Sequence, residues 1–517
     1  MMRSMVIGTV ALVLAGTVGA SARVSNEQTD GIRESAAVLN EIHGEPAKDV
    51  PQDLWDKARC VIVIPSLKKA AFVVGGEYGK GLVSCRRDAV WTAPVFMKLE
   101  KGSWGFQIGA ESLFLSLPVF AQPPQSGAIN PGKRIDDKHN PRDGFIVVDE
   151  DTRLGYIKNA TIWRPFDLTG ADLSEGQSLG ANKDGLPRTL LNDKVVVCDF
   201  KLQELGGTTP KFDCDHIKLY NTVEDAANKQ HEIPHALKKA KVRYGRSSEQ
   251  DVKPYSTIIA TRIAWALGFF ADIETPVQEV ICNGCTQDPF HQKAPAAGKS
   301  FTFTTASIEQ HLDITGIIGI DGKGKDLPYR HAKGPEAAWY WTEGQDNITD
   351  PARRAQFEAL ELLAAFLKDG DTKAVQNRLG CLPGGFDEET GICNAPVMMV
   401  HDFGNTLGSD GLSVHPLNFD AWSKAKIWDD PKTCKTSIRN NIGNGSGLDH
   451  PIIHQAGLKL LADSLHRLIA DDENVLAIFS AAKIEQYDDH GTKHTAREWA
   501  DLFKKRAQSI IDSRCEF

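Results

Sequence analysis

The sequence lacks the features of a general nucleic-acid binder and of an integral membrane protein. Its 59 lysines and arginines stand against 68 aspartates and glutamates, for a formal net charge of −9, whereas a general nucleic-acid binder has a basic excess. After the first 22 residues, no stretch reaches the roughly 18 apolar residues that a membrane-spanning helix needs. With 41% hydrophobic and 25% charged residues, the composition also excludes disorder, collagen and coiled coil. We expect a folded chain of roughly three domains, at about 150 residues each.

Residues 1–22 predict a secretory signal peptide. Arg3 precedes a short apolar run that begins at Met5, and small residues at 19–22 provide a cleavage site before Arg23. A membrane anchor is the alternative, but the run is too short for one. We therefore expect an exported protein, periplasmic or extracellular, that could also be peripheral to a membrane. Its ten cysteines are an even set that suits a disulfide-permissive compartment, and we expect disulfides in Cys282-Asn-Gly-Cys285 and between Cys381 and Cys393.

Residues 30–112 combine two short helical patterns with a β-meander that starts at Cys60. The stretches Pro51-Gln-Asp-Leu-Trp-Asp-Lys-Ala-Arg-Cys and Phe72-Val-Val-Gly-Gly-Glu-Tyr-Gly-Lys-Gly occur in the order found in the SYLF family of lipid-binding domains, which this segment resembles. The match stops near residue 112, so the module is truncated relative to that family. The resemblance implies contact with anionic lipid headgroups, including phosphoinositides. The basic residues that would make this contact are Lys68, Lys69, Arg86 and Arg87; a solvated charged face is the alternative.

Residues 113–130 predict a join between two parts of the chain. Leu113-Phe-Leu-Ser-Leu-Pro-Val-Phe-Ala is typical of the end of a second signal peptide, and a polar linker follows it. One further β-strand is the alternative. Beyond the join, residues 131–280 have the short apolar runs of a β-rich region, and residues 281–517 are mainly helical. Strands followed by helices indicate an α+β class with two lobes.

Two segments in the helical region carry the residues that phosphoryl transfer requires. Asp371 could orient or deprotonate a hydroxyl, and Lys373 could neutralise a transferred phosphoryl group. Gln376 or Asn377, together with Asp402 at the end of an apolar strand, could hold Mg²⁺. Catalysis of this reaction is mostly positioning and charge neutralisation, which these residue types supply. The alternative is that both aspartates only satisfy turns.

From Pro210 onward the chain resembles exported bacterial proteins with a protein-kinase-like fold, distantly similar to lipid kinases and HipA-type kinases. Matching stretches are Lys241-Val-Arg-Tyr-Gly, Ala260-Thr-Arg262-Ile-Ala-Trp, Ala364-Ala-Phe-Leu-Lys-Asp-Gly-Asp-Thr-Lys and Val400-His-Asp-Phe-Gly-Asn. The resemblance implies a two-lobed domain that uses ATP and Mg²⁺, with Lys241 and Arg262 binding the cofactor, Asp371 as the catalytic-loop acid and Asp402 as the metal acid.

The sequence departs from this kinase pattern in the residues around its lysine. Thr257 takes the position of the helix glutamate that pairs with the lysine, and no Gly-x-Gly-x-x-Gly loop precedes Lys241. Gln376 also stands where the family has an asparagine. Two hypotheses follow: a phosphotransferase of the bacterial envelope joined to a lipid-binding module, or a non-catalytic lipid-binding or pseudokinase-type interaction protein.

Overall fold

The computed structural model describes residues 60–103, 133–135, 144–174, 191–245, 253–320 and 338–515, apart from short gaps at 71–74, 88–89, 92–94, 169–170, 203–208, 236, 409–416, 440–446 and 489–490. The chain divides into two compact units, residues 1–116 and 117–517. The predicted signal peptide at 1–22 lies outside the described residues, and so does all of the predicted join at 113–130. None of the described helices is long and apolar enough to cross a membrane.

The first unit contains an antiparallel sheet centred on its second strand. Its strands are β1 (Cys60–Ala70), β2 (Gly75–Arg87), β3 (Val90–Trp91) and β4 (Val95–Ser103), and β2 pairs with each of the other three. Pro65-Ser66 is typical of a break between strands, but β1 continues through it with a register shift between Val63 and Ser66. A proline cannot donate to the ladder, so it is tolerated in a strand at an irregularity of this kind.

The second unit contains two large sheets and most of the helices. Its described strands, in chain order, are β5 (Lys133–Ile135), β6 (Phe145–Val148), β7 (Val195–Lys201), β8 (Lys211–Tyr220), β9 (Lys239–Tyr244), β10 (Ile273–Pro276), β11 (Glu279–Asn283), β12 (Ser300–Phe303), β13 (Ala306–Gln310), β14 (Gly316–Ile320), β15 (Asn377–Cys381), β16 (Phe386–Asp387), β17 (Ile392–Cys393), β18 (Pro396–Val400), β19 (Trp428–Asp430) and β20 (Lys435–Thr436). Its described α-helices are α1 (Glu150–Asn159), α2 (Val223–Asn228), α3 (Lys253–Ala266), α4 (Trp341–Asn347), α5 (Pro351–Leu367), α6 (Phe419–Lys424), α7 (Gln455–Ile469), α8 (Asp472–Ala481) and α9 (Ala496–Ile511).

A seven-stranded sheet has the order β10-β13-β9-β8-β7-β11-β12. Successive side chains on a strand alternate between faces, and one face here is apolar. It buries a cluster that includes Phe212, Val242, Tyr244 and Ile308. The sequence predicts that the β-rich region ends at residue 280. The short apolar runs at 300–320 are nevertheless strands and not parts of helices, and they form β12, β13 and β14.

A five-stranded sheet, in the order β18-β15-β14-β6-β5, packs with the helices in the largest hydrophobic core. Helix α5 lies at the centre of this core, with Leu360, Leu363 and Phe366 fully buried. Its N-terminus is capped by Asp350, whose carboxylate accepts a hydrogen bond from the Arg353 amide, and Pro351 occupies the first turn. The apolar periodicity predicts helices over 256–270, 354–368, 454–470 and 495–512. Helices α3, α5, α7 and α9 confirm these predictions with small shifts at their ends.

Four disulfides pair all eight cysteines between residues 191 and 515. They are Cys198–Cys214, Cys282–Cys285, Cys381–Cys393 and Cys434–Cys515. The second and third confirm the two pairs that the sequence predicts. The fourth links the segment before α7 to the chain after α9, so it joins the two ends of the stretch that contains the last three helices.

Candidate active site

The face of the seven-stranded sheet opposite the apolar cluster carries buried charges. The antiparallel register places Lys241 on β9 beside Glu309 on β13, and Glu309 beside Glu274 on β10. One step along the strands, Lys211 on β8 pairs with Arg243 on β9. Register partners share a face of the sheet, so these five side chains line one surface. Such a surface gains little stability from its charges, which makes it a candidate for function.

Two cations share the Glu309 carboxylate. Lys241 Nζ lies 2.5 Å from Glu309 Oε1, and Arg243 Nη2 lies 2.6 Å from Glu309 Oε2. Arg243 Nε also lies 3.4 Å from Glu274 Oε2. The other oxygen, Glu274 Oε1, accepts a hydrogen bond from the Ser307 hydroxyl at 2.6 Å. Glu309 is only 2% exposed, whereas the Lys241 side chain retains 19% exposure. The lysine is therefore held by a buried acid and remains accessible to a ligand.

The surrounding charges set the ionisation of this group. Burial alone would raise the pKa of Glu309, but Lys241 and Arg243 hold that pKa well below its usual value. Burial raises the pKa of Glu274 to about 7 against the opposing effect of Arg243. Burial, with Arg243 and Lys241 nearby, lowers the pKa of Lys211 to about 8. Lys241 and Arg243 thus hold Glu309 in its ionised form.

Asp402 joins this surface from the other sheet. The fully buried strand β18 ends at Val400, two residues before Asp402. The Asp402 carboxylate accepts a hydrogen bond from the Gly404 amide at 2.7 Å through Oδ1, and its Oδ2 lies 3.5 Å from Arg243 Nη2. Asp402, which the sequence predicts to be a metal ligand, therefore contacts Arg243. Arg243 lies on the same strand as Lys241.

Asp371 lies on the loop that follows α5. Lys368 adopts the left-handed conformation, with φ 55°, and ends the helix, and the Asp369 carboxylate then accepts a hydrogen bond from the Asp371 amide at 3.0 Å. Lys373 Nζ and Gln376 Nε2 both donate to Asp371 Oδ2, at 2.6 Å and 2.7 Å. The structure therefore brings the predicted catalytic pair, Asp371 and Lys373, into direct contact, together with Gln376.

Backbone hydrogen bonds hold the Asp371 loop against the segment that carries Asp402. The Gly370 amide donates to the Asn405 carbonyl at 2.9 Å, and the His401 amide donates to the Gln376 carbonyl at 2.6 Å. These bonds lie on either side of both aspartates in the sequence. The two acidic loops are therefore neighbours, and Arg243 links one of them to the sheet.

Two buried side chains, Arg243 and Asn377, have polar atoms with no hydrogen-bond partner among the described residues, and their chemistry suits phosphate and Mg²⁺ respectively. Arg243 Nη1 is one, and a guanidinium N–H is a good donor to phosphate oxygens. Asn377 Oδ1 is another, since the amide nitrogen of Asn377 donates to the Trp339 carbonyl at 3.0 Å. An amide oxygen together with the Asp402 carboxylate is the kind of donor set that Mg²⁺ accepts. The backbone of Asn377 pairs with Val400, two residues before Asp402, so residues whose chemistry fits a magnesium–nucleotide ligand lie on neighbouring segments.

Arg262, predicted to bind the cofactor, is placed differently. It lies buried on α3, and its guanidinium donates to the carbonyls of Glu274, at 2.9 Å, and Ser174, at 3.2 Å. Burial lowers its pKa to about 10. Its described contacts stabilise the junction of α3 and β10 and do not include Lys241. Thr257 is also buried on α3. The acid beside Lys241 is Glu309, which lies on β13 and not on this helix. Lys241 therefore has an acidic partner, although the sequence shows none at position 257.

The predicted lipid-binding residues lie at opposite ends of the first unit's sheet. Lys68 and Lys69 on β1 pair with positions 78 and 77 of β2. Arg86 and Arg87, at the other end of β2, pair with β3. Eight residues separate position 78 from Arg86, which is roughly 26 Å along a strand. The backbone of all four is described, and their side chains lie outside the described part.

Sequence reasoning missed four residues of the charged surface, Lys211, Arg243, Glu274 and Glu309. One local signal was available, because β9 alternates Lys239, Lys241 and Arg243 with apolar residues, and residues two apart in a strand share a face. The acids that pair with them lie on strands whose register no local pattern specifies.

Comparison with known proteins establishes no family for this chain. No protein-family model matches it, and no curated protein matches its sequence. Among solved structures, the crystal structure of a Helicobacter pylori proinflammatory kinase, CtkA, is 12% identical in sequence and aligns over 61% of this chain and 93% of that one, with a TM-score of 0.32. A score this low does not establish a shared fold. The SYLF and kinase resemblances therefore stay predictions, and the function has to be argued from the site.

Proposed function

We propose that the second unit is a phosphotransferase that uses ATP and Mg²⁺. The observation that carries the proposal is the buried pair of Lys241 and Glu309 beside Arg243, which in turn reaches Asp402. This arrangement gathers the cations that bind phosphates and the acid that binds a metal at one surface. Electrostatic stabilisation and positioning are what phosphoryl transfer asks of a protein.

Each residue of the surface has a role that its contacts support. Lys241, oriented by Glu309, and Arg243, through its unpartnered Nη1, bind phosphate oxygens, while Asp402 and Asn377 hold Mg²⁺. The bound nucleotide supplies the phosphoryl group and its metal neutralises charge on the phosphates. Burial of Glu309 strengthens its attraction for Lys241, so the lysine stays in one position with or without a ligand.

Asp371 is the residue that receives the proton of the acceptor hydroxyl. Its Oδ2 accepts two hydrogen bonds, from Lys373 and Gln376, which fix the carboxylate plane and leave Oδ1 for the acceptor. Lys373, about one-third exposed, also offsets negative charge near the acceptor. A general base has to be within hydrogen-bond reach of the proton that it takes, and the acceptor would therefore enter beside this loop.

Titration calorimetry of the full chain with magnesium–ATP, followed by transfer of labelled γ-phosphate, tests the proposal. A charged hydrogen bond contributes about 1.5–3 kcal/mol, so Lys241→Met should weaken nucleotide binding by roughly 10- to 100-fold. Asp371→Asn should retain binding and lose transfer. Asp463→Asn is the matched control, because among the described residues this aspartate pairs only with Lys459 on an exposed helix surface. Absence of nucleotide binding by the wild-type protein would refute the proposal, and binding without transfer would support the non-catalytic alternative.

For the first unit we infer binding to anionic membrane lipids through the lysine-rich end of its sheet. The register brings lysines of three strands to this end: Lys69 pairs with Glu77, which pairs with Lys101, and Lys80 pairs with Lys98. Basic residues near an anionic surface contribute about 1 kcal/mol each. Lys68 and Lys69 would be the contact residues on β1.

Flotation of the full chain with vesicles that contain an anionic lipid tests this inference. Lys68→Ala/Lys69→Ala should weaken binding by about 30-fold, which corresponds to about 2 kcal/mol. Arg86→Ala/Arg87→Ala makes the same change in charge at the opposite end of β2, and it tests the role predicted for those arginines. Equal binding to neutral and anionic vesicles would contradict lipid recognition by charge.

Export is the third element of the proposal. Disulfides persist in oxidising compartments and are rare in a reducing cytosol, and the second unit contains four of them. We infer that the chain functions in the bacterial periplasm or outside the cell. Fractionation of expressing cells, with the redox state of the cysteines measured by thiol labelling, tests this. A cytoplasmic protein with reduced thiols would contradict it.

A further inference from the structure

Asp272, His311 and His401 form a cluster of metal-ligating side chains beside the proposed active site. One ligand atom from each can be chosen so that all three lie within 4.8 Å of one another. The phosphoryl transfer proposed above uses none of these three residues. The cluster also lies where the seven-stranded sheet meets the five-stranded sheet.

Backbone pairing brings the three residues together from distant parts of the chain. Ile273 on β10 pairs with Gln310 on β13, so the next residues outward, Asp272 and His311, also face each other. A parallel bridge joins Ala271 to Val400, and this places Asp272 beside His401. The cluster is therefore fixed by two independent backbone contacts and not by flexible side chains.

The geometry of the cluster suits a cation with imidazole and carboxylate ligands. His311 Nδ1 lies 3.5 Å from Asp272 Oδ2, and His401 Nδ1 makes a hydrogen bond to the same oxygen. A tetrahedral Zn²⁺ with bonds of about 2.0–2.1 Å separates its ligand atoms by roughly 3.4 Å. The second oxygen of Asp272 accepts a hydrogen bond from the Leu312 amide at 2.7 Å, so the carboxylate is already oriented.

The other ring nitrogen of His311 has the partner that a metal-bound histidine requires. His311 Nε2 lies 3.5 Å from Glu309 Oε1, the oxygen that also pairs with Lys241. Metal-binding histidines usually donate their second ring N–H to a carboxylate, which fixes the tautomer and makes the ligand more basic. Here Glu309 lies on the Nε2 side of the His311 ring and Asp272 on the Nδ1 side.

We propose that Asp272, His311 and His401 bind one Zn²⁺ ion, with Glu309 as the carboxylate that orients His311. Two imidazoles favour zinc over Mg²⁺, which prefers oxygen ligands. The ion joins the edges of the two sheets and, through Glu309, orients Lys241. This site is distinct from the magnesium ligands proposed above, and it does not depend on nucleotide or on activity.

The test is titration of the chelator-treated full chain with Co²⁺, a visible-absorbing substitute for Zn²⁺, without nucleotide. The wild-type protein should give d–d absorption that saturates at one equivalent, that Zn²⁺ abolishes and that excess Mg²⁺ leaves unchanged. His311→Ala and His311→Ala/His401→Ala should lose this signal. Glu309→Gln should keep the stoichiometry but bind about 10- to 100-fold more weakly, as expected for loss of an orienting carboxylate.

The control is His291→Ala, which changes an exposed histidine that pairs with Asp288 and should leave the titration as in the wild type. Circular dichroism of each variant shows whether it folds, and the wild-type titration is decisive even if a variant does not. A wild-type protein without a saturating one-equivalent signal would overturn the proposal, as would a folded double variant with the full signal. Neither result depends on whether phosphoryl transfer occurs.

Discussion

Lys241 and Glu309 pair across adjacent antiparallel strands, with Lys241 Nζ 2.5 Å from Oε1 of a buried carboxylate whose Oε2 accepts a hydrogen bond from Arg243. The acid that holds this lysine thus comes from a strand and not from a helix. Replacing Glu309 with alanine would leave two cations without their shared anion. Removing one partner of a buried ion pair costs about 3–5 kcal/mol. We expect Glu309→Ala to lower the free energy of unfolding by this amount in urea denaturation.

The control for this prediction is Glu473→Ala. Glu473 is 76% exposed and pairs with Arg497 at 3.3 Å on the helical surface, and an exposed pair contributes at most about 1 kcal/mol. If Glu309→Ala and Glu473→Ala destabilised the protein equally, the shared-anion interpretation would be wrong.

Removal of the Cys434–Cys515 disulfide should destabilise the protein more than removal of Cys282–Cys285. The first closes 81 residues and the second only 3, and a longer closed loop restricts the unfolded chain more. Loop-closure entropy gives about 4.5 kcal/mol for the first and about 1.5 kcal/mol for the second. Paired Cys→Ala variants, compared by urea denaturation, check the difference. A Cys282→Ala/Cys285→Ala variant that is the less stable of the two would contradict it.

The helices and the local part of the candidate site could be predicted from sequence, because both depend on short-range patterns. The apolar spacing that defines α5 is complete within the helix, and the contacts of Asp371 with Lys373 and Gln376 span only two and five residues. Interactions this close along the chain follow from local geometry once the helix end is placed.

The partners of Lys241 could not be predicted, because they depend on strand register. Glu309 lies 68 residues further along the chain, and a shift of one residue in the pairing would turn its side chain to the apolar face. The described contacts of Arg262 also depend on residues that are distant in the sequence. A motif resemblance assigned it to the cofactor, although its guanidinium is buried against carbonyls at the α3–β10 junction.

Stability should fall as pH rises from about 4.5 to 8, in part because of Glu361. Burial raises the pKa of this α5 carboxyl from 4.5 to about 8, although Gln345 donates a hydrogen bond to it. In this pH window the unfolded chain releases a proton that the folded chain keeps, so the free energy of unfolding decreases with pH. The contribution is complete below pH 4.5 and is lost above about pH 8.

Glu361→Gln removes this titration and keeps an oxygen that can accept from Gln345. We expect the variant to be less sensitive to pH than the wild type, by about 1.4 kcal/mol per pH unit within the window. Urea denaturation at pH 5, 6.5 and 8 measures the difference between the two proteins. Parallel pH profiles would show that Glu361 ionises normally in the folded protein.

Gly344 on α4 allows close packing of the Phe357 ring from α5. A Cβ atom on Gly344 would lie 2.2 Å from Phe357 Cζ, and Phe357 is fully buried against Trp339 and Trp341. The ring has no space to move, so Gly344→Ala should cost about 1–3 kcal/mol despite the higher helix propensity of alanine.

Gly155 on α1 is the matched control for Gly344, since no atom of the described residues outside the adjoining helix backbone lies within 4 Å of the position that a Cβ would take there. Gly155→Ala should stabilise the protein by about 0.5–1 kcal/mol through helix propensity alone. Combining Gly344→Ala with Phe357→Leu should cost less than the sum of the two single changes, because the smaller side chain relieves the clash. Urea denaturation of all four variants measures this coupling. Additive losses, or equal effects of alanine at the two glycines, would mean that Phe357 does not restrict position 344.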